Sequence, residues 1–311
     1  MTPKKIKSFG IIFKYNHAPA HAAAEHLKKC LSAEGIDVFM EEMCPYGFEK
    51  SNDMAQNEYD SIYKNIDAAM VLGGDGTLLG AARIFGKYGV PIMGINLGGL
   101  GFLTSIPLDK IYDAAKLLIE GRLEIETRLM LEVSIVRASK KTNSEKEILT
   151  AFNDVVINKG SLARIIDLEV LVNEEHLTTF RSDGLIIATP TGSTAYNLSA
   201  GGPILYPTMN SIVMTPICPF TITNRPIILP DDSIIKVAQL LESKEEFFLT
   251  MDGQIGLSMR WDDSIVIKKS DKKMYLYKSP YQSYFSLLRT RLMWSGNNVL
   301  GAKTAVSSKD N

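Results

Sequence analysis

The stretch Ala68-Ala69-Met70-Val71-Leu72-Gly73-Gly74-Asp75-Gly76-Thr77 sets the architecture. Five apolar residues without alternation read as a strand covered on both faces, and a helical pattern follows over residues 77–88, closed by Gly89. Outward from this core the same rhythm repeats. Upstream lie an apolar run at 9–13, a helix over 18–33 stopped by Gly35, and a second run at 36–40. Downstream, residues 90–95 form the next strand, and a helix over 108–120 follows with Pro107 at its start and Gly121 at its end. Alternating strands and helices predict an α/β region with a mostly parallel sheet.

After residue 124 the texture changes. Alternating or β-branched runs at 129–136, 155–157, 165–172, 185–188, 227–229 and 265–267 are punctuated by Gly, Pro, Asn and Asp, which reads as a β-rich half. The charged, aperiodic stretch 139–147 is expected to be an exposed loop within that half. Helical character returns near the end, where Tyr284, Leu287, Leu288 and Arg291 share a turn-spaced face. The expected division is 1–123 for the α/β domain, 124–280 for the β-rich domain, and 281–311 for a C-terminal segment packing back on the first domain.

Composition narrows the function. The 311 residues are 45% hydrophobic and carry a net charge of −1, so no broad basic surface for nucleic acid or an anionic membrane is expected. Cys30, Cys44 and Cys218 are odd in number and lack metal-ligand spacing, which points to a reducing compartment, the cytoplasm. His17, His21, His26 and His176 are scattered and no metal-binding residue is assigned. No apolar run approaches the roughly 18 residues of a membrane span.

The chemistry is expected at Gly73, Gly74, Asp75, Gly76 and Thr77, where a buried strand hands over to a helix. Glycines allow close backbone approach, and the N–H groups of a helix start favour phosphate. A carboxylate there repels the charge the loop attracts, so Asp75 reads as the group that takes a proton from, or orients, a hydroxyl beside the phosphate. The alternative is an Asp-Gly turn without chemistry.

A second glycine cluster, Gly98-Gly99-Leu100-Gly101-Phe102-Leu103-Thr104, also follows a strand and lacks the spacing of a dinucleotide fingerprint. A third segment, residues 189–203, is crowded with hydroxyls: Thr191, Ser193, Thr194, Tyr196 and Ser199 suit ribose hydroxyls and amides, or a solvated turn. Asn153-Asp154 reads as ligand contact or turn, and Asp252-Gly253-Gln254 as a hairpin turn by default.

Taken together, Gly73 to Thr77, Asn96 to Phe102, Asn153-Asp154, the run 182–203, Thr215-Pro216-Ile217-Cys218-Pro219, Asn224-Arg225-Pro226 and Asp252-Gly253-Gln254 resemble the NAD kinase family, in order and over nearly the whole chain. The resemblance implies a Rossmann-like α/β N-terminal domain, a sandwich-like β-rich C-terminal domain, and a homo-oligomer. It implies phosphorylation of the adenosine ribose 2′-hydroxyl of NAD by ATP, with a divalent cation, Mg²⁺ by expectation. By the same similarity Asp75 is the general base, and Gly73, Gly74, Gly76 and Thr77 face the phosphates. The NAD contacts implied are Asp75, Gly76, Phe102, Asn153, Asp154, Arg164, Arg181, Asp183, Thr191, Thr194, Ala195, Tyr196, Asn197, Leu198, Ser199 and Gln254. One departure is Phe220, where many members carry His.

Two other readings compete. Lipid kinases of the diacylglycerol or sphingosine type share a Gly-Gly-Asp-Gly loop, but the second motif block and the missing basic amphipathic segment speak against them. A nucleotide-binding sensor without catalysis keeps the pocket, but would tolerate loss of the base at Asp75.

Overall fold

The computed structural model describes residues 6–43, 56–99, 101–137, 147–160, 165–240 and 247–294. The strand Ala68–Gly73 is buried along its whole length, as a strand covered by helices on both faces must be. It pairs in parallel with Ser8–Lys14 on one side and Ile92–Asn96 on the other, and Asp37–Met43 extends the sheet in parallel. Met274–Tyr277 then pairs with Ile92–Asn96 in parallel, and Ile125–Arg128 closes the order as an antiparallel edge. The first sheet therefore recruits two strands from beyond residue 123.

Helices form where the apolar spacing asks for them. Ala18–Ala33 buries Ala20, Ala24, Leu27 and Leu31, and His17 caps it by accepting the Ala20 N–H on Nδ1 at 3.2 Å. Gly35 beyond its end takes φ +76°, a left-handed value that favours glycine. The helix after the glycine loop runs Asp75–Phe85, two residues earlier than the periodicity suggested, because Asp75 itself begins the first turn. The helix Gln56–Lys64 was not anticipated; its sequence is mostly polar and only tertiary contacts with Phe39, Phe85 and Tyr88 bury Tyr63.

The β-rich region is a pair of six-stranded antiparallel sheets. One runs in the order Glu175–Ser182, Ile166–Val172, Ile235–Gln239, Ser264–Lys269, Leu131–Val136, Glu147–Ala151; the other Ile227–Pro230, Ser211–Ile217, Gly184–Ala188, Asp154–Lys159, Phe247–Met251, Ile255–Met259. Alternation such as the buried Leu131, Val133 and Ile135 sends one face of each sheet into a shared core. Gly184–Ala188 is buried on both faces, because Leu205, Val213 and Ile217 cover the side turned away from that core. Residues 139–146 of the expected loop lie outside the described residues, and Glu147 begins a strand.

Candidate active site

Asp75 stands where the strand Ala68–Gly73 ends and the helix Asp75–Phe85 begins, with Gly74 as the capping residue. Its carboxylate is held by the second glycine cluster. Oδ2 accepts the Phe102 N–H at 2.9 Å, while Oδ1 accepts the Leu103 N–H at 3.1 Å, the Thr104 N–H at 2.9 Å and the Thr104 hydroxyl at 2.9 Å. Four donors use nearly the whole acceptor capacity of a carboxylate. The approach requires Gly101, since a Cβ there would lie 1.9 Å from Asp75 Oδ1. The two glycine motifs thus form one device.

A second buried acid organises the other wall. Asp252 heads the turn between Phe247–Met251 and Ile255–Met259, where φ is +53° at Asp252 and +64° at Gly253 and the Gln254 N–H closes the turn on the Met251 carbonyl at 2.9 Å. Its side chain turns inward and accepts the Asn153 N–H at 2.7 Å and the Phe152 N–H at 3.0 Å. It also pairs with Arg83 of the helix Asp75–Phe85 at 3.2 Å. Burial pushes the Asp252 carboxyl up, opposed by those N–H groups and by Arg83. Gln254 completes the clasp: its Oε1 accepts from Arg83 at 2.6 Å and its Nε2 donates to the Gly76 carbonyl at 2.7 Å. One hairpin thereby ties the β-rich region to the glycine loop at residues 73–76.

Beside Asp252 lies Asp154, whose carboxyl is raised to about 7 by burial and by the negative Asp252 nearby. Asn153, Asp154, Ala195, Tyr196, Asp252 and Leu79 line a cavity of about 420 Å³. Tyr196 presents an exposed ring to it, and Asn153 Oδ1 is buried without a partner in the protein. The hydroxyl-rich segment wraps close behind. Gly192 passes so near Asn153 that a Cβ would meet its carbonyl oxygen at 2.1 Å, and Thr189 Oγ1 donates to the Phe152 carbonyl at 2.7 Å.

Not every expected contact points into this cavity. Asn197 is fully buried and spends its amide on the Ser193 and Pro203 carbonyls and the Thr215 hydroxyl, which makes it a brace for the loop. Thr191 is buried and accepts from Arg128 at 3.4 Å, Thr194 donates to the Thr191 carbonyl at 3.3 Å, and Leu198 and Ser199 form the short helix Tyr196–Ser199. Phe102 is half-buried in the clamping loop, and Thr77 packs over Gly73. Arg164 lies outside the described residues.

Arg181 and Asp183 sit elsewhere. Asp154 pairs with Ala188 in the register of the strands, so Asp183 is five residues away, roughly 16 Å along a strand rising about 3.3 Å per residue. There Asp183 pairs with Lys159 at 2.7 Å, and the Arg181 guanidinium lies 5.5 Å from the centre of the Phe220 ring. Phe220 therefore has a partner chemistry of its own. Sequence reasoning passed over Arg83 and the inward turn of Asp252; a lone arginine in an apolar helix face was the available signal for the first.

Among the described residues no group of three or more His, Cys, Asp or Glu side chains is arranged to hold a metal ion. No helix among them is long and apolar enough to cross a membrane.

The family model for the ATP-NAD kinase N-terminal domain matches residues 9–123, and that for the ATP-NAD kinase C-terminal domain matches residues 152–279. An NAD kinase of Geobacter sp. strain M21 is 43% identical over 289 residues, covering 93% of this chain and 99% of that protein. An NAD kinase of Syntrophotalea carbinolica is 44% identical over 292 residues, covering 93% and 99%. In fold the chain is similar to yeast NADH kinase complexed with NADH, at TM-score 0.82 and 23% identity over 96% of this chain and 90% of that one. It is also similar to an NAD kinase from Archaeoglobus fulgidus in complex with ATP, at TM-score 0.68 and 24% identity over 93% and 100%. With a glycine-flanked carboxylate at a strand-to-helix junction and both family models matched across most of its length, the chain belongs to the ATP-NAD kinase family.

Proposed function

We propose that Asp75 is the catalytic carboxylate with which this NAD kinase takes the proton of the adenosine ribose 2′-hydroxyl, as that oxygen attacks the terminal phosphorus of ATP to give NADP and ADP. The observation that carries the reading is the position of the carboxylate, at the mouth of the glycine loop and the start of a helix whose first-turn N–H groups lack intrahelical partners. Asn153, Asp154 and Tyr196 receive the adenosine side of NAD in the adjoining cavity. Three donors crowd Asp75 Oδ1 and a single one, the Phe102 N–H, meets Oδ2, so Oδ2 keeps an acceptor site with which to take the hydroxyl proton.

The donor's cation is best held by the nucleotide phosphates with one or two carboxylates, since Mg²⁺ commonly binds that way and the protein supplies no three-ligand cluster among the described residues. Bound there, the cation would neutralise phosphate charge; proton transfer and orientation fall to the protein's own groups. Arg181 and Asp183 are too far from Asp154 on one chain to join it around one adenosine, which supports a homo-oligomer in which a second copy supplies them. The exposed Phe220 and Ile222 beside them, 70% and 82% accessible, favour the same arrangement. The cysteine usage favours the cytoplasm.

The test is Asp75→Asn, assayed with ATP, Mg²⁺ and NAD. NAD affinity should stay within a few-fold while kcat falls by at least about a hundredfold; an unchanged kcat would remove Asp75 from its role.

A further inference from the structure

The polypeptide crosses between the α/β and β-rich regions twice, from Arg128 to Leu131 and from Lys269 to Met274. Ser270 N donates to the Met130 carbonyl at 2.9 Å, so the two crossings are tied together. Between them opens a cavity of about 350 Å³ that shares no lining residue with the cavity of Asp154. It falls within the size range of small-ligand sites.

Its charge is one-sided. Arg128, Lys269, Lys272 and Lys273 line it against a single acid, Asp231, and that acid is taken by Lys269 at 2.5 Å. Arg128 leans on Glu126 at 2.5 Å. Two positive charges then remain, since no carboxylate among the described residues pairs with Lys272 or Lys273. The Lys272 N–H donates to Ser270 Oγ at 3.1 Å, which ties down the turn that carries both lysines, and Thr208 and Asn210 add neutral donors to the lining. Arg128 has spare capacity: of its five N–H donors one meets Glu126, one reaches Thr191 Oγ1 only at 3.4 Å, and Nε has no partner.

We infer that this cavity binds a small multivalent oxyanion, of phosphate or carboxylate class, and that the occupant acts on the nucleotide loop through Arg128 and Thr191. An anion between the crossings neutralises the lysines and draws the guanidinium toward itself. Among the described residues the one side-chain hydrogen bond from Arg128 to residues 189–199 is the long contact with Thr191, so occupancy shifts the loop that carries Tyr196. The coupling part rests on the NAD kinase reading; the binding part does not.

The full chain is titrated calorimetrically with inorganic phosphate and, separately, with citrate, in the absence of metal and at saturating NAD. Lys272→Ala/Lys273→Ala serves as the comparison, with Lys272→Glu/Lys273→Glu as a second variant and thermal melts to establish that each folds. The expected result is saturable binding of at least one anion to the parent chain, weakened at least tenfold in both variants. Phosphate alone binding assigns the phosphate class, and citrate alone the carboxylate class. Equal affinity in parent and variants, or binding lost when NAD saturates, overturns the site. In steady-state assays the bound anion should shift KM for NAD at least twofold in the parent and leave the variants unmoved, with the anion-free kcat of both unchanged. No shift in the parent overturns the coupling, whereas a parent chain that binds anion but makes no NADP counts against the kinase reading alone.

Discussion

Asp154 and Asp252 are two carboxyls buried in one wall, and their neighbours decide what each can do. Burial pushes both up, but at Asp252 the Arg83 guanidinium and a set of backbone N–H groups oppose the push, whereas at Asp154 the Asp252 charge adds to it and the carboxyl rises from 3.8 to about 7. A folded-state value above the unfolded one means that the fold prefers the protonated form. The stabilisation this brings is full below about pH 4, shrinks as pH rises, and is gone above about pH 7. Asp154→Asn should therefore melt higher than the parent chain at pH 8, with the gap narrowing toward pH 4; melting curves with a constant gap across that range would contradict the assignment. The Arg83–Asp252 pair predicts the opposite kind of effect. Arg83→Met strands a buried negative charge, and urea unfolding should show a loss of about 3–5 kcal/mol.

At the scale of elements, the loop over residues 101–104 is the part whose sequence spoke least about its role. Gly101-Phe102-Leu103-Thr104 reads as any loop at a strand end, whereas in the fold the N–H groups of its last three residues hold the Asp75 carboxylate. Gly101→Ala forces either the loop or the carboxylate to move, because the new methyl falls 1.9 Å from Asp75 Oδ1. A displacement of that size at the proposed catalytic base should lower kcat by about a hundredfold while the chain still folds and binds NAD, as equilibrium dialysis and initial rates would reveal. The hairpin at Asp252 shows the reverse case. Its turn type was legible from Asp-Gly, but the inward aim of the carboxylate depends on Arg83, which lies 169 residues away in sequence. The helix Gln56–Lys64 escaped notice for a related reason: its apolar face is short, Tyr59, Ile62 and Tyr63 among polar residues, and it is buried only by packing against Phe39 and Phe85 from distant parts of the chain.

Across the whole molecule, the expected NAD contacts divide between the two ends of the strand Gly184–Ala188, and the end with Arg181 and Asp183 also displays Phe220 and Ile222. If a second copy covers those side chains, Ile222→Asp should shift the oligomer toward monomer in light scattering and raise KM for NAD in parallel; an unchanged mass would refute the arrangement. The α/β beginning, the β-rich remainder and the Asp75 loop were all readable in one dimension, because apolar periodicity and glycine placement are local consequences of backbone geometry. Tertiary structure alone decided which strands close the first sheet, that the second glycine cluster grips Asp75, that Asn197 braces its loop, and that four basic side chains meet where the chain crosses between regions. Those facts depend on residues far apart in the chain being brought within hydrogen-bonding or Coulombic reach, and such distances are set by how whole sheets pack.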